Sequence, residues 1–235
     1  MGDATEPTKF EVTDCAVIGR TFEEYAAMFD LEPAALEGRR VLDCPSGVAS
    51  FVATATDRGI DVVGADVVYE RSPEDLARRC REDREAVIDQ LSEKRDMFDW
   101  SFYDSVAERR RYLRRASERF LKDYAAGQSR DRYVAAALPA LPFERDAFSL
   151  VLSAHFLFLY GDRFDYEFHC EALRELARVA ADEVRIYPLQ GLDATPYDRL
   201  EDVLATLADE GYEATRETVP FEFQPGSTEM LVLSP

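Results

Sequence analysis

The sequence contains few of the residues that build metal centres or disulfide frameworks. There are four cysteines and two histidines among 235 residues, and no pair stands at the CxxC or HxxxH spacing of a zinc site. Cysteines scattered in this way are typical of small buried side chains in a reducing compartment; they are Cys15, Cys44, Cys80 and Cys170. The composition therefore predicts neither a metal site nor disulfide bonds.

Long apolar runs are also missing. No stretch reaches the length of about 20 residues that a membrane-spanning helix needs, and the first residues, MGDATEPTKF, lack the charged and apolar regions of a signal peptide. Hydrophobic residues nevertheless make up 46% of the chain, which is enough for a globular fold with a full core. The sequence predicts a cytoplasmic protein with no membrane partner.

Lysine is scarce as well: three lysines stand against 25 arginines, and the net charge is −19. An acidic, lysine-poor surface is typical of proteins from salt-accumulating archaea, where concentrated cations screen the repulsion between carboxylates. A GC-rich genome explains an excess of arginine over lysine but not the excess of acid. The composition thus favours a halophilic source, and it argues against nucleic acid as the main partner because phosphates are repelled.

Strand and helix patterns alternate through most of the chain. Short apolar runs predict strands at 39–44, 61–66, 132–138, 148–155 and 183–189. Helical patterns stand at 21–30, 48–59, 165–180 and 195–211, the first with a capping box from Thr21 to Glu24. The segments EATRETVPFEF and TEMLVLS predict a closing antiparallel pair. This order predicts an α/β protein with a doubly wound sheet and a C-terminal antiparallel hairpin.

The alternation is interrupted between the second and third strands. Residues 71–130 show no strand pattern, and apolar residues recur there at spacings of four and seven on one helical face. We interpret this segment as a helical insertion in an α/β domain formed by residues 1–70 and 131–235. Insertions in such domains tend to lie over the carboxyl edge of the sheet, where ligands bind. The insertion is then either a lid rich in aromatic residues or an interface for self-association, such as a homodimer.

The turn between the first strand and its helix reads DCPSG, residues 43–47, and contains one glycine. It lacks the GxxxxGK[ST] of a Walker loop, the GxGxxG of a dinucleotide site and the GxSxG of a hydrolase elbow. A cofactor that carries an adenosine but no phosphate remains compatible with it. Asp43 ends the first strand and Asp66 stands about twenty residues further on, where a carboxylate accepts hydrogen bonds from both ribose hydroxyls.

At these residues the sequence resembles the class I S-adenosylmethionine-dependent methyltransferases. VLDCPSGVASF is similar to their first motif, VVGADVVYE to their second, and LPFERDAFSLVLSAHFLF to the stretch around their fourth strand. The resemblance covers residues 39–70 and 131–235, and it is greatest to an uncharacterised haloarchaeal subgroup with a CPSG-type turn and the segment HFLFLYGDRFDYEFH. It implies a Rossmann-like methyltransferase sheet and S-adenosylmethionine as the cofactor, with no metal required.

Three departures from the family pattern bear on cofactor binding. Pro45 and Ser46 stand where the family usually has glycine, and the FD pair of the fourth strand reads FS. An aspartate that contacts adenine in many members is replaced by Ala137. We expect the backbone around Ala137 and Leu138 to hold adenine instead, with weaker affinity.

The resemblance implies a cofactor site built from the turn and its neighbours. Asp43 is expected near the methionine amino group and Asp66 at the ribose. Arg20 is expected at the methionine carboxylate, beneath a closing N-terminal helix. The alternatives are a helix cap for Asp43, a solvated loop acid for Asp66 and a surface salt bridge for Arg20. The expected cofactor-binding residues are Arg20, Tyr25, Asp43, Cys44, Pro45, Ser46, Gly47, Asp66, Val67, Ala137, Leu138 and Ser153.

His155 follows the fourth strand and faces the mouth expected for the acceptor, so it is the first candidate for a general base. Tyr160 is the second expected catalytic residue, while His169 and Tyr187 are weaker candidates. The alternative for His155 is a histidine of the core. Cys44, at a helix start, has either a lowered pKa or a packing role, and the lack of a visible base partner favours packing.

The arginine-rich segment RRRYLRR, residues 109–115, predicts either an RNA contact or a salt-bridged helix face. Acidic residues flank the segment, at Glu108, Glu118 and Asp123, and they favour the salt-bridged face.

The predicted function is S-adenosylmethionine-dependent methyl transfer to a small-molecule acceptor. The alternative is an inactive methyltransferase-like protein that binds an adenosyl compound or takes part in an assembly, which Ala137 and the thin glycine content favour. A nicotinamide-dependent dehydrogenase fits less well, because the turn has one glycine and the chain ends in a hairpin. RNA methylation is a third alternative, which salt-dependent RNA binding would test.

Overall fold

The computed structural model describes residues 16–126 and 132–235. The start of the chain, on which the prediction about a signal peptide rests, lies outside these ranges, and so does Cys15. The described residues form a seven-stranded sheet from β1 (Arg40–Asp43), β2 (Asp61–Ala65), β3 (Tyr133–Val134), β4 (Phe148–Ala154), β5 (Ala180–Tyr187), β6 (Glu213–Thr218) and β7 (Glu229–Ser234).

The order of strands across the sheet is β3-β2-β1-β4-β5-β7-β6. Pairing is parallel from β3 through to β5, and β7 runs antiparallel to both β5 and β6. The chain therefore winds outwards in both directions from β1 and closes with a hairpin. The predicted doubly wound α/β sheet with a C-terminal antiparallel hairpin is confirmed.

Helices cover both faces of the sheet; they are α1 (Phe22–Met28), α2 (Phe51–Asp57), α3 (Pro73–Glu93), α4 (Val106–Ala125), α5 (Tyr166–Val179) and α6 (Leu200–Asp209). Neighbouring residues of β4 point to opposite faces. Leu150 and Leu152 belong to the hydrophobic cluster under α1, α2 and α4, whereas Val151 belongs to the cluster under α5 and α6. None of these helices, in the part of the chain that is described, has the length and apolar character needed to cross a membrane.

The first helix begins at the predicted capping box. The Thr21 side chain accepts a hydrogen bond from Glu24 N–H at 3.3 Å, and Glu24 Oε2 accepts one from Thr21 N–H at 2.7 Å. Both groups are buried, so the box fixes the start of α1 inside the protein and leaves the second oxygen of Glu24 for other partners.

The third strand is shorter than predicted. The sequence predicts a strand over 132–138, but β3 ends at Val134. The chain then forms a turn in which Ala140 N–H donates to Ala137 O at 3.1 Å, and Pro139 has no N–H to extend a ladder. The residues that resemble the adenine-binding stretch therefore form a turn at the edge of the sheet.

Two helices begin later than predicted. The helix predicted from residue 195 begins at Leu200, because the preceding residues bend back to β5 and Tyr197 N–H donates to Leu189 O at 3.2 Å. The helix predicted from residue 48 begins after Ser50, whose N–H donates to Arg20 O at 2.9 Å. That second bond joins the segment before α1 to the start of α2.

The insertion between β2 and β3 consists of α3 and α4, as predicted. Leu76 and Cys80 of α3 and Phe120 of α4 belong to the same hydrophobic cluster as Phe22 of α1 and Val52 of α2. The helical pair thus shares a core with the rest of the protein. The division into an α/β domain of residues 1–70 and 131–235 and an insertion of residues 71–130 stays a prediction.

The link between α3 and α4 contacts the loop that joins β6 to β7. Phe98 stacks on Phe223 with ring centroids 4.8 Å apart, and Trp100 packs edge-on against the same ring at 5.3 Å. Asp99 N–H donates to Phe223 O at 2.9 Å. The aromatic segment of the insertion therefore rests on the C-terminal hairpin, while its role as a lid or an interface stays a prediction.

Candidate functional site

A cavity of about 640 Å³ opens at the carboxyl ends of β1, β2 and β4. Sites for small organic ligands usually have volumes of about 300 to 1,000 Å³. Asp43 and Ser153 do not line the cavity, but the other twelve predicted site residues do: Arg20, Tyr25, Cys44, Pro45, Ser46, Gly47, Asp66, Val67, Ala137, Leu138, His155 and Tyr160.

Hydrogen bonds to β2 and to the segment after it hold the turn that follows β1. Ser46 N–H donates to Ala65 O at 3.0 Å, and Gly47 N–H donates to Asp66 Oδ2 at 2.8 Å. On its other side, the Gly47 carbonyl accepts a hydrogen bond from the Tyr69 hydroxyl at 2.8 Å. Gly47 has a φ of +53°, in the left-handed region that favours glycine. The single glycine of the turn therefore stands where the backbone requires it.

Asp66 lies in the cavity wall with 8% of its surface exposed. Its Oδ2 accepts from Gly47 N–H, and its Oδ1 accepts from Val68 N–H at 2.9 Å. Burial raises the pKa of this carboxyl, and the two backbone hydrogen bonds oppose the rise. The alternative of a solvated loop acid is therefore wrong. Each oxygen keeps a lone pair for a further donor, as a ribose-binding carboxylate needs.

Asp43 is fully buried directly behind the turn. The Tyr25 hydroxyl donates to its two oxygens at 3.0 and 3.1 Å, and Ser46 Oγ donates to Oδ2 at 2.6 Å. Burial raises the pKa of Asp43 to about 7; the hydrogen bonds from Ser46 and Tyr25 lower it, and the charge of Asp66 raises it further. Asp43 thus holds two cavity-lining side chains, Tyr25 and Ser46, and these side-chain donors take the place of the helix cap proposed as its alternative role.

Cys44 lines the cavity with a buried thiol. Burial, with the charges of Asp66 and Asp43, raises the pKa of this thiol well above its usual range. A lowered pKa at the helix start is therefore wrong for Cys44, and the packing role fits. Next to it in the wall is Pro45, and Val67 forms an exposed apolar part of the rim.

The turn after β3 forms another part of the wall, with Ala137 and Leu138. Asp66 N–H donates to Val134 O at 3.1 Å, and Ala136 N–H donates to Asp66 O at 3.4 Å. This turn is therefore fixed to the end of β2, beside the carboxylate expected at the ribose. An adenine contact by its backbone stays a prediction.

A buried charge cluster that the sequence did not predict lies beside the cavity. The Glu24 carboxylate accepts hydrogen bonds from Tyr103 Oη at 2.5 Å and Arg109 Nη1 at 2.9 Å, and it lies 3.6 Å from Arg20 Nε. Arg109 is 1% exposed and Glu24 is fully buried. Two guanidinium groups therefore share one carboxylate. The salt bridge of Arg20 is to this buried acid and not to a surface one.

Several polar atoms near this cluster have no hydrogen-bond partner in the described parts of the chain. They are Arg20 Nε and Nη1, Arg109 Nε, Ser153 Oγ and His155 Nδ1. Buried polar atoms normally find a partner, and Arg20 and His155 both line the cavity. Ser153, which lies behind the wall, is 1% exposed.

His155 stands at the end of β4 with a φ of +55°. Its backbone N–H donates to the backbone carbonyl of Tyr187 at 2.6 Å. Its ring packs edge-on against the Tyr187 ring, with centroids 5.5 Å apart. Burial, and then the positive charges of Arg20 and Arg109, hold the pKa of His155 well below its usual range. The imidazole is therefore neutral at physiological pH, as a general base must be.

The other catalytic candidates differ in position. Tyr160 lines the cavity, and its hydroxyl accepts from Ala16 N–H at 3.2 Å. His169 does not line it: Nδ1 lies 2.8 Å from Asp165 O and Nε2 lies 3.1 Å from Leu157 O, and its ring stacks on Tyr197. We therefore assign His169 to the structure of α5, and the weaker prediction of a catalytic role for it is wrong.

Each of the five arginines of residues 109–115 lies near a carboxylate. The pairs are Arg109–Glu24, Arg110–Glu85, Arg111–Glu108, Arg114–Glu118 and Arg115–Glu23. This arrangement agrees with the salt-bridged alternative, except that Arg109 points into the protein. Among residues 16–126 and 132–235 there is no cluster of His, Cys, Asp and Glu suited to a metal ion.

Comparison with known proteins identifies one curated relative. No protein-family model matches the chain. The chain is 31% identical over 221 residues to Uncharacterized protein MJ0045 of Methanocaldococcus jannaschii, and the alignment covers 94% of this chain and 96% of that protein.

Two solved structures are similar to this chain at lower sequence identity. Magnesium protoporphyrin IX methyltransferase (ChlM) of Synechocystis PCC 6803, with bound SAH, has a TM-score of 0.48 and 12% identity over 90% of this chain and 83% of that chain. The PH0226 protein of Pyrococcus horikoshii OT3 has a TM-score of 0.47 and 14% identity over 98% of this chain and 96% of that chain.

Proposed function

The chain belongs to the same family as Uncharacterized protein MJ0045, and we propose that it is an S-adenosylmethionine-dependent methyltransferase acting on a small-molecule acceptor. The observation that supports this most directly is the pairing of Asp66 with the turn at Gly47 in the wall of a cavity of about 640 Å³. A buried carboxylate at the end of the second strand, bonded to a glycine turn at the end of the first, suits an adenosine without phosphates.

The parts of the cofactor correspond to parts of the wall. The ribose hydroxyls would donate to Asp66, and adenine would lie against the turn that contains Ala137 and Leu138. The methionine amino group would lie on the side of the turn that Asp43 supports, where negative charge favours it. Its carboxylate would pair with Arg20 Nη1, which has no hydrogen-bond partner in the described residues.

S-adenosylmethionine, when bound, supplies a methyl group on positively charged sulfur, and transfer releases S-adenosylhomocysteine and a proton. The chain has to hold the acceptor in line, exclude water and take up the proton. His155 is positioned for the last task, because its Nδ1 is buried without a partner in the described residues. Burial and the charges of Arg20 and Arg109 keep its imidazole neutral and also make it a weaker base than a free histidine. Tyr160, in the same wall, would help to orient the acceptor.

The charge of the chain bears on the class of methyl acceptor and on the salt concentration in which the protein acts. A net charge of −19 disfavours RNA or DNA, and the arginines of residues 109–115 are engaged with carboxylates. We therefore favour a small molecule as the acceptor and a salt-rich cytoplasm as the place of action. Binding experiments should accordingly be done in molar potassium chloride, where the carboxylates of the surface are screened.

The test is calorimetric titration of the protein with S-adenosylmethionine and S-adenosylhomocysteine. We expect micromolar dissociation constants for the natural sequence. Asp66→Ala should weaken binding by at least about 100-fold, since two hydrogen bonds to a charged group are lost. Asp61→Ala is the matched control, because Asp61 stands at the opposite end of β2 with an exposed side chain.

Thermal unfolding must show that both variants are folded, since Asp66 also holds the turn. Absence of binding to the folded natural protein would overturn the proposed function. Binding without methyl transfer to any acceptor in a screen would favour the inactive, adenosyl-binding alternative.

A further inference from the structure

A second, smaller cavity of about 70 Å³ adjoins the first. The two share wall residues, among them Arg20, His155 and Tyr160. One water needs about 10 to 15 Å³ by this measure, so the second cavity has room for about five to seven non-hydrogen atoms, which is the size of one six-membered ring with a small substituent.

The walls of the second cavity are mainly apolar and aromatic. Val87, Leu91 and Phe98 come from the insertion, and Phe221 and Phe223 come from the loop between β6 and β7. Such walls favour a flat apolar group, because ring faces and edges pack well against one another. The insertion and the C-terminal hairpin, which meet at Phe98 and Phe223, thus enclose this cavity together.

The polar groups lie where the two cavities meet. His155 Nδ1 and the Nε and Nη1 of Arg20 lack hydrogen-bond partners within the described residues. The nearby cluster carries two guanidinium groups and the single carboxylate of Glu24. A neutral imidazole whose proton is on Nε2 accepts a hydrogen bond from an O–H group at Nδ1.

We propose that the second cavity binds the methyl acceptor, and that this acceptor is a small phenol whose hydroxyl donates a hydrogen bond to His155 Nδ1. The proposal rests on the proposed function, because it assumes that the methyl donor occupies the first cavity. A carboxylic acid, already ionised at neutral pH, has no proton to donate to His155. An aliphatic amine, protonated at neutral pH, has no free lone pair to attack the methyl group, and apolar walls disfavour its charge.

The transfer step balances with these groups alone. The phenol oxygen forms a bond to the methyl carbon while the carbon–sulfur bond breaks, and the electron pair of the broken bond stays on sulfur. The phenolic proton passes to His155 Nδ1 and from there to solvent. The products are the methyl ether, S-adenosylhomocysteine and one proton.

The experiment is a ligand-observed NMR titration of the full-length protein with phenol, toluene and benzoate, each with and without saturating S-adenosylhomocysteine. We expect phenol to bind about tenfold more tightly than toluene, because it adds a hydrogen bond to a buried acceptor. We expect benzoate to show no such gain. In a parallel titration of ¹⁵N-labelled protein, the resonance of His155 Nδ1 should shift with phenol and not with toluene, and the chain has only two histidines to assign.

A variant that fills the cavity provides the second measurement. Val87→Phe should abolish phenol binding and leave the affinity for S-adenosylhomocysteine within about twofold, since Val87 lines only the second cavity. Val106→Phe is the matched control: Val106 packs in the same small cluster as Val87 and lines neither cavity. Both variants are checked by thermal unfolding.

The outcomes separate the two proposals. Phenol binding no tighter than toluene binding, or unchanged in folded Val87→Phe, would overturn the phenol site even if S-adenosylhomocysteine binds. Phenol binding that is sensitive to Val87→Phe without any S-adenosylhomocysteine binding would support the site and overturn the proposed function. Tighter binding of benzoate than of phenol would show that Arg20 recruits an anion and would also overturn the assignment to a phenol.

Discussion

The turn after β1 and the wall around His155 border the same cavity, but their polar groups differ in how the chain satisfies them. Each carboxylate oxygen of Asp43 and Asp66 accepts at least one hydrogen bond from the chain. At the wall, His155 Nδ1 and two nitrogens of Arg20 have no such partner in the described residues. The turn is thus organised before any ligand binds, whereas the wall has groups whose partners a ligand would supply.

The two regions also differ in charge. Two buried carboxylates support the turn, and two guanidinium groups with one carboxylate stand behind the wall. A donor with positively charged sulfur and a vicinal diol suits the first region, and an acceptor that loses a proton suits the second. The comparison predicts that Asp43 and Asp66 mainly set the affinity for the cofactor and that His155 mainly sets the rate of transfer, while Arg20 belongs to the wall but binds the cofactor's carboxylate in the proposed function.

The largest effect should come from the wall. His155→Asn should lower the rate of methyl transfer by about 10² to 10⁴-fold, the usual contribution of a general base, and leave the affinity for S-adenosylhomocysteine within about twofold. Asparagine tolerates the positive φ at this position. The rate is measured as transfer of labelled methyl groups to the best acceptor in a panel of phenols.

His169→Asn is the control for that variant. His169 is fully buried, and its two ring nitrogens each lie within 3.1 Å of a backbone carbonyl oxygen, so its loss should lower the melting temperature and not the rate per folded molecule. An equal loss of rate in both variants would remove the distinction between the catalytic and the structural histidine.

The sequence was sufficient for those features that depend on neighbouring residues. The alternation of apolar runs predicted the strands and their winding, and the ends of β1 and β2 located Asp43, Gly47 and Asp66. Each of these residues directly ends a strand or begins a turn, so its place in the chain also fixes its place at the sheet edge.

Features that depend on distant residues were missed. Tyr103 and Arg109 bind Glu24 across 79 and 85 positions of the chain, and no periodicity signals such a pairing. The capping box with Thr21 already explained why a glutamate stands at position 24, so nothing in the sequence indicated further partners. Its two oxygens serve different purposes, and only the three-dimensional packing shows the second. The small cavity was missed for the same reason, because its walls come from the insertion and from the hairpin, which are far apart in the chain.

The second largest effect concerns Asp43, behind the turn, and the pH dependence of cofactor affinity. Asp43 has a pKa of about 7 because it is buried, and we expect cofactor binding to require its carboxylate form. The affinity for S-adenosylhomocysteine should be constant above pH 7 and fall by up to tenfold per pH unit below it. Asp43→Asn should lower the affinity by about 100-fold and flatten this profile, as measured by calorimetry over pH 5.5 to 8.5.

Asp43→Asn should raise the stability of the protein at high pH although it lowers the affinity for the cofactor. The folded pKa of Asp43 lies above the unfolded one, so its contribution to stability is present at low pH and is lost as the pH rises through about 7. Asp43→Asn should therefore raise the melting temperature at pH 8 by about 5 °C or more. Asp61→Asn, with its exposed side chain, should change neither property, and a similar pH profile in Asp43→Asn would show that another group titrates.

The smallest effect concerns the turn after β3, where the chain departs from the methyltransferase pattern. Ala137→Asp should strengthen cofactor binding by about three- to tenfold, because one hydrogen bond to the adenine amino group contributes about 0.5 to 1.5 kcal/mol. Ala137 is exposed and lines the cavity, so the new carboxylate replaces no buried group.

Ala140→Asp is the matched control at the other end of the same turn, since Ala140 is exposed but does not line the cavity. A gain in calorimetric affinity for Ala137→Asp alone would locate adenine at this turn, because added negative charge by itself would act in both variants. An equal change in both, or none, would mean that adenine lies elsewhere, and the assignment of the ribose to Asp66 would then need its own test.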